Sequence, residues 1–399
     1  MVTVIENVNI HTMDDNDTVI DSGYVKVEDG IIAELGSMSS THDGADRVID
    51  GEGAELYPGF VDAHTHLGMF EDSLTFEGDD GNEDSDPITP QLRAIDGANP
   101  GDGYFRESLL AGVTTVMISP GSTNPIAGQI AAIKTYGRRI DKMIVSSPAA
   151  IKFSLGENPK STYNDKDQMP VTRMAVAALI RETLYKAKNY YDEKQEYLKD
   201  KKNNDEPEFD LRYEALCPMF AGEIPAHFHV HRADDICTAL RICREFGLRC
   251  VLVHATDAHT MTYEENGILK SDLEGECEGV LSGPFLTDRS KPELKNLSPS
   301  APGILSSLGI PTAIITDHPE TPLPFITICA AAAVRNGMDR NAAMKAITST
   351  AAKLIGVYDR VGSVEVGKDA DIVLFSGDPL DITNRPVAVM YGGEFIKSE

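Results

Sequence analysis

The chain has 399 residues, 41% of them apolar, enough to bury the core of one large domain and a small companion. A formal net charge of -27 argues against nucleic acid and anionic membrane surfaces as partners, because both repel such a chain. No apolar run approaches membrane-span length, and the first residues lack the basic-then-apolar order of a signal peptide. The six cysteines include no CxxC pair, so reduced thiols in a cytoplasmic protein are expected.

Taken in order, residues 1–57 read as short strands over 2–10, 24–27, 31–35 and 47–49, broken by turn formers such as Asp29-Gly30. His11 and His42, in polar surroundings, are expected at the surface. The middle of the chain alternates apolar strand-like runs with helical runs, which predicts a parallel α/β architecture. Strands are expected over 57–68 (YPGFVDAHTHLG), 113–119, 143–153, 225–231, 249–254 and 312–317, with one more somewhere within 211–221. Residues 171–202 predict a helix that ends in a solvated charged tract. Asp339 is placed to cap a helix that presents Met344, Ile347, Ala351 and Leu354 on one face and stops near Gly356. The far end returns to strands over 371–375, 387–391 and 394–396, with Gly392-Gly393 as a hairpin turn. Two β-rich ends around one long middle predict a small β domain built from 1–57 with 359–399.

Alternate side chains of a strand share a face, so His64 and His66 point the same way. Two imidazoles so spaced can grip one borderline ion such as zinc. In a (β/α)8 barrel the active-site residues sit at the carboxyl ends of the strands. His229, His254 and Asp317 each close an apolar run in that way. One strand-end histidine is ordinarily structural; four histidines and an aspartate in this order predict a metal site.

These residues resemble the amidohydrolase superfamily of metal-dependent hydrolases. The resemblance spans nearly the whole chain: PGFVDAHTH from Pro58, AGVTTV from Ala111, His229, His254, Asp317 in ITDHP, and GSVEVGKDADIVLF from Gly362. It is nearest to an imidazolonepropionase-related subgroup. The resemblance implies a (β/α)8 TIM barrel over 58–358 with a small β-sandwich from both chain ends. It implies one or two divalent ions on His64, His66, His229, His254 and Asp317, with zinc expected and manganese, iron(II) or cobalt(II) as alternatives. It further implies that Lys152, at the end of AAIK, is carboxylated and bridges two ions, with Glu223 a lower-ranked bridge. Deaminases and imidazolonepropionases resemble each other in carrying H-x-x-E on the fifth strand. Here Arg232 stands in the glutamate position, which speaks against both chemistries in their usual form. The His229-Val230-His231 pattern resembles the dipeptidases of the superfamily.

His227, His229 and His231 share one face. His229 is assigned to metal, His231 to the substrate or transition state, and His227 to a hydrogen-bonded structural role deeper in the barrel. Asp317 would take a proton from water and hand it to the leaving nitrogen. Arg93, Arg232 and Arg289 are candidates to hold a substrate carboxylate. His259 is a further candidate for substrate contact, and it and His318 lie near ligands in sequence. The acidic loop from Phe70, with Glu71, Asp72, Glu77, Asp79, Asp80, Glu83, Asp84 and Asp86, reads as a solvated lid. The turn-rich segment SPGSTNPIAGQ from Ser119 is placed to line the pocket with backbone. The expected activity is hydrolysis of an amide C–N bond in a small molecule: an N-acyl amino acid, a dipeptide or a cyclic amide. A mononuclear imidazolonepropionase-like or deaminase-like hydrolase is the alternative. A non-catalytic scaffold, which predicts decayed ligands, ranks last. Homo-oligomerisation stays open.

Overall fold

The computed structural model describes residues 1–38, 44–71 and 75–396, so His42 and Asp72 lie outside the described residues. Eight strands make the central sheet: Phe60–Thr65 (β1), Val113–Ile118 (β2), Ile126–Lys134 (β3), Ile144–Ser154 (β4), Ala226–Val230 (β5), Cys250–His254 (β6), Gly279–Ser282 (β7) and Thr312–Ile314 (β8). They are hydrogen-bonded in sequence order from β1 to β8. Every residue of β1, β2, β5 and β6 is buried, as strands covered on both faces require.

The ladders are parallel except around β3, which runs antiparallel to both β2 and β4. This departs from a strict (β/α)8 order. Residues 119–125 are too few for a helical crossover, which needs a dozen or more, so the chain turns back on itself. The strand expected within 211–221 is instead two short helices, Leu211–Glu214 and Cys217–Phe220. The remaining two of the eight places are filled by β3 and β7, segments absent from the sequence-based expectation.

No ladder joins β8 to β1. The ring is drawn together by other bonds. Asp62 on β1 accepts from the backbone N of Thr316 at 3.0 Å and from its Oγ1 at 2.6 Å, and His66 N donates to His318 O at 2.9 Å.

The long helix Arg173–Lys199 begins at Thr172, whose Oγ1 accepts from Ala175 N at 3.1 Å. It buries Val176, Ile180, Leu184 and Ala187 in the core cluster that also holds Ile151 and Phe228. Asp339 caps Ala342 N as expected, but the helix after it is two, Arg340–Ala346 and Ser349–Leu354. The break has a cause: the Ile347 carbonyl turns out to accept from Val61 N of β1 at 2.8 Å. Met344, Ile347, Ala351 and Leu354 are all buried nonetheless.

The two chain ends do combine. Their strands Val2–His11, Val19–Glu28, Ile31–Ser37, Arg47–Pro58, Ile372–Phe375, Pro386–Tyr391 and Glu394–Ile396 form one seven-stranded sheet, rather than two separate sheets of a sandwich. Ile5, Val25, Leu56, Ile372 and Met390 share its core. Lys134, ending β3, reaches Asp371 at 2.5 Å and Asp369 at 2.9 Å and so ties this sheet to the barrel. His11, expected at the surface, is half-buried, stacked on Tyr57 and bonded to Glu55. No helix among the described residues is long and apolar enough to cross a membrane.

Candidate metal centre

The ends of β1, β4, β5 and β6 and the turn after β8 carry His64, Lys152, His229, His254 and Asp317. His66 and His231 follow directly on β1 and β5. His254 and Asp317 have φ of 65° and 54°, left-handed values that a residue with a side chain adopts only when its surroundings hold it there. For His254 the restraint is visible: Nδ1 donates to the Gly283 carbonyl at 2.6 Å.

One nitrogen each from His229, His231 and His254 lie within 4.8 Å of one another, and so do ligand atoms of His64, His254 and Asp317. Asp317 Oδ1 stands 3.4 Å from His64 Nε2 and 3.4 Å from His66 Nε2. His66 Nδ1 lies 2.7 Å from the Ser119 carbonyl, which can only accept, so Nδ1 carries a proton. In the neutral ring Nε2 is then a bare lone pair facing a carboxylate oxygen. Oδ1 has no hydrogen bond of its own, and neither has buried His64 Nδ1. Lone pairs facing one another in a buried site repel unless a cation lies between them. Ligands about 2.1 Å from a tetrahedral zinc stand about 3.4 Å apart. The donor set thus fits a divalent ion.

The protonation states agree. Burial first, and then Lys152, hold the His64 ring well below its ordinary range. Burial first, and then His254, do the same for His229 and His231. Burial brings His254 down to about 4. Neutral imidazole is the state a metal requires. Burial alone would raise the Asp317 carboxyl, but the surrounding imidazoles, His254 first and then His64 and His66, outweigh it and hold the group well below its ordinary range. Lys152 is fully buried, with Nζ 3.3 Å from His64 Nε2. Burial pushes its ammonium down to about 8, opposed by Asp317.

Above this floor lies a cavity of about 350 Å³, lined by His66, His229, His231, His254 and Asp317 together with loop residues. That is room for a small molecule. Gly121 and Ser122, from the segment after β2, line it, as does Phe70 at the start of the acidic loop, with its ring edge-on to His66 at 5.4 Å.

The arginines are not part of it. Arg232 is exposed and forks onto Asp234 at 2.9 and 2.8 Å. Exposed Arg289 donates to the Leu297 carbonyl at 2.6 Å. Arg93 is exposed and lines a neighbouring acidic groove with Asp79, Asp80 and Glu83. His259 is half-buried outside the cavity lining, and Glu223 is exposed ahead of β5, at the opposite end of the strands from the cluster. His318 is buried, accepting from Leu323 N at 3.3 Å and packing on Tyr104. His227 corrects its expected hydrogen-bonded role: it is fully buried beside Lys152 in the ladder, with neither ring nitrogen bonded.

Sequence reading passed over three features. Asp62 shares the face of His64 and His66 by the same alternation, and that was the available signal. Lys291 stands two residues past Arg289, and Asn158 follows β4; nothing in their local pattern marks them. Asn158 Nδ2 lies 3.4 Å from His229 Nε2 and 2.6 Å from Ser122 Oγ, and its Oδ1 accepts from Lys291 Nζ at 2.6 Å.

Comparison with known proteins follows the same line. The Amidohydrolase family model matches residues 219–396. A crystal structure of an amidohydrolase from Thermotoga maritima MSB8 superposes with a TM-score of 0.92 at 38% identity, covering 100% of both chains. The amidohydrolase tasK of Hapsidospora irregularis is 29% identical over 93% of this chain, which spans only 39% of that relative's length. An imidazolonepropionase of Maricaulis maris is 25% identical over 91% of this chain and 89% of its own. The chain belongs to the amidohydrolase superfamily, with an imidazolonepropionase-related link.

Proposed function

We propose that the protein hydrolyses the C–N bond of a small amide at this cluster, with an N-acyl amino acid, a dipeptide or a cyclic amide as substrate. The observation that carries the reading is the meeting of His64, His66, His254 and Asp317, with the bare Nε2 of His66 facing Asp317 Oδ1, beneath a cavity of about 350 Å³. His64, His66 and Asp317 would hold one divalent ion, and His229 and His254 a second. Lys152, carboxylated, would bridge them; its lowered pKa of about 8 populates the neutral amine that attacks carbon dioxide. When bound, such ions supply positive charge that acidifies water and polarises a carbonyl.

The chain's own groups do the rest. Ionised Asp317 accepts the proton of the attacking water and returns it to the leaving nitrogen, which would otherwise depart as an anion. Thr256 Oγ1, 2.7 Å from His231 Nδ1, can donate to that nitrogen and so favour the proton on Nε2. In that state His231 can donate to the oxyanion of the tetrahedral intermediate. Phe70 narrows the mouth on the His66 side.

A mononuclear imidazolonepropionase-like or deaminase-like hydrolase is the second reading, favoured by the similarity to imidazolonepropionases over 91% of this chain. Arg232 in the glutamate position, and its turn away to Asp234, count against it. The test is a screen of zinc- or manganese-reconstituted protein on N-acyl amino acids, dipeptides, cyclic amides and, as the deaminase control, aminopurines, following release of amine or ammonia or ring opening. Turnover of one amide class supports the proposal. Release of ammonia from aminopurines alone, or no turnover at full metal load, overturns it.

A further inference from the structure

The arginines expected to hold a substrate carboxylate lie outside the cavity, yet the cavity does contain a cation. Among the described residues that line it, Lys291 is the one lysine or arginine. Its Nζ donates to Asn158 Oδ1 at 2.6 Å and pairs with Glu293 Oε1 at 3.3 Å. An ammonium has three N–H donors, so one is left over. Glu293 does not compete with a ligand for it. Its side chain is 1% exposed against 27% for Lys291, and its other oxygen accepts from Glu157 N at 3.0 Å. Glu293 and Asn158 therefore take two of the three donors and fix the ammonium in place, and the third is left over on a residue that lines the cavity. Asn158 also reaches His229 at 3.4 Å, which sets Lys291 one side chain away from the metal cluster.

From this geometry we infer that Lys291 is the anion anchor of the cavity and that the substrate carries a carboxylate a few bonds from the scissile amide. The inference deepens the proposed function and rests on its placement of the reacting centre. The surroundings make the assignment sharp. Asp288 and Glu320 also line the cavity, in a protein of net charge -27. Charges farther off than about 8 Å are screened at physiological salt, so the local balance decides. On the side away from the metal cluster Lys291 is the one side chain that offers an anion a cation, and its other charged neighbours there, Asp288 and Glu320, are acidic.

The test is binding rather than turnover, so it does not depend on identifying the reaction. N-acetyl-L-alanine and its neutral carboxamide are titrated calorimetrically into zinc-reconstituted protein. Wild type binds the carboxylate at least about tenfold more tightly, as a charge-assisted hydrogen bond requires. Lys291→Met lowers the ratio by about tenfold, Lys291→Arg keeps part of it, and Lys291→Glu lowers it further. Retained melting temperature and the arginine variant separate loss of the anchor from loss of fold. A wild type without preference for the carboxylate, or a Lys291→Met variant that keeps it, overturns the inference. A Lys291-dependent preference in a protein that cleaves no amide leaves the anchor standing and removes the amide-hydrolase reading instead.

Discussion

Asp62 and Thr316 hold the first and last barrel strands together. The Asp62 carboxylate accepts from Thr316 Oγ1 at 2.6 Å and Thr316 N at 3.0 Å, and its other oxygen accepts from His64 N at 3.1 Å. No ladder joins these strands, so this carboxylate sets His64 and His66 against Asp317. Asp62→Ala leaves three buried donors unpaired, each worth about 1–3 kcal/mol. Urea unfolding of the metal-free variant is expected to show a loss of about 3 kcal/mol or more, with weaker zinc binding. A loss below about 1 kcal/mol would mean that the strands are held by other contacts.

Asp317 is assigned the proton transfer. Asp317→Asn keeps the shape and removes the base. Turnover is expected to fall by about 10²- to 10⁴-fold while far-UV circular dichroism is unchanged. A fall below about tenfold would move the proton transfer to another group.

Arg232 supplies a contrast. Its guanidinium is exposed and paired with Asp234, and exposed ion pairs contribute about 0–1 kcal/mol. Arg232→Ala is expected to change stability by no more than that and to leave kcat/KM within about threefold. A large loss of kcat/KM would bring Arg232 into the substrate's path and contradict its position in the structure.

His227 gives a signed pH dependence. Burial, with Lys152 next, lowers its folded pKa from 6.5 to about 3. The unfolded chain therefore takes up the proton first. The stability this group permits is complete above about pH 6.5 and is lost as pH falls toward about 3, at about 1.4 kcal/mol per pH unit. His227→Leu should remove that share from the acid limb of the stability curve of metal-free protein. An unchanged slope, measured by urea melts between pH 6 and pH 4 (on the order of two pH units, within the window of that linkage), would show that His227 does not stay neutral in the folded state.

The part of this architecture legible in the sequence is the part written in local pattern. The alternation in FVDAHTH and the apolar runs before His254 and Asp317 predicted strands that the structure contains. What stayed hidden depends on contacts between distant segments. β3 reverses direction because seven residues cannot make a crossover, yet IAGQIAAIK carries no mark of direction. The helix after Asp339 splits where the Ile347 carbonyl meets β1, a partner far away in sequence. The placement of Arg93, Arg232 and Arg289 outside the cavity lining was hidden for a similar reason. An arginine is conspicuous in a sequence, but position decides, and the cation in the cavity is Lys291, held there by Asn158 and Glu293.

The measurement that bears most directly on the account is metal content per chain, on protein purified without chelators, beside Lys152→Ala. Two-ion sites hold about two metals per chain. The account predicts that value for wild type, falling to about one or fewer when the buried lysine is lost. About one metal in both proteins would remove the bridging role of Lys152. No metal in either, after incubation with zinc or manganese, would contradict the reading of His64, His66, His229, His254 and Asp317 as a metal centre.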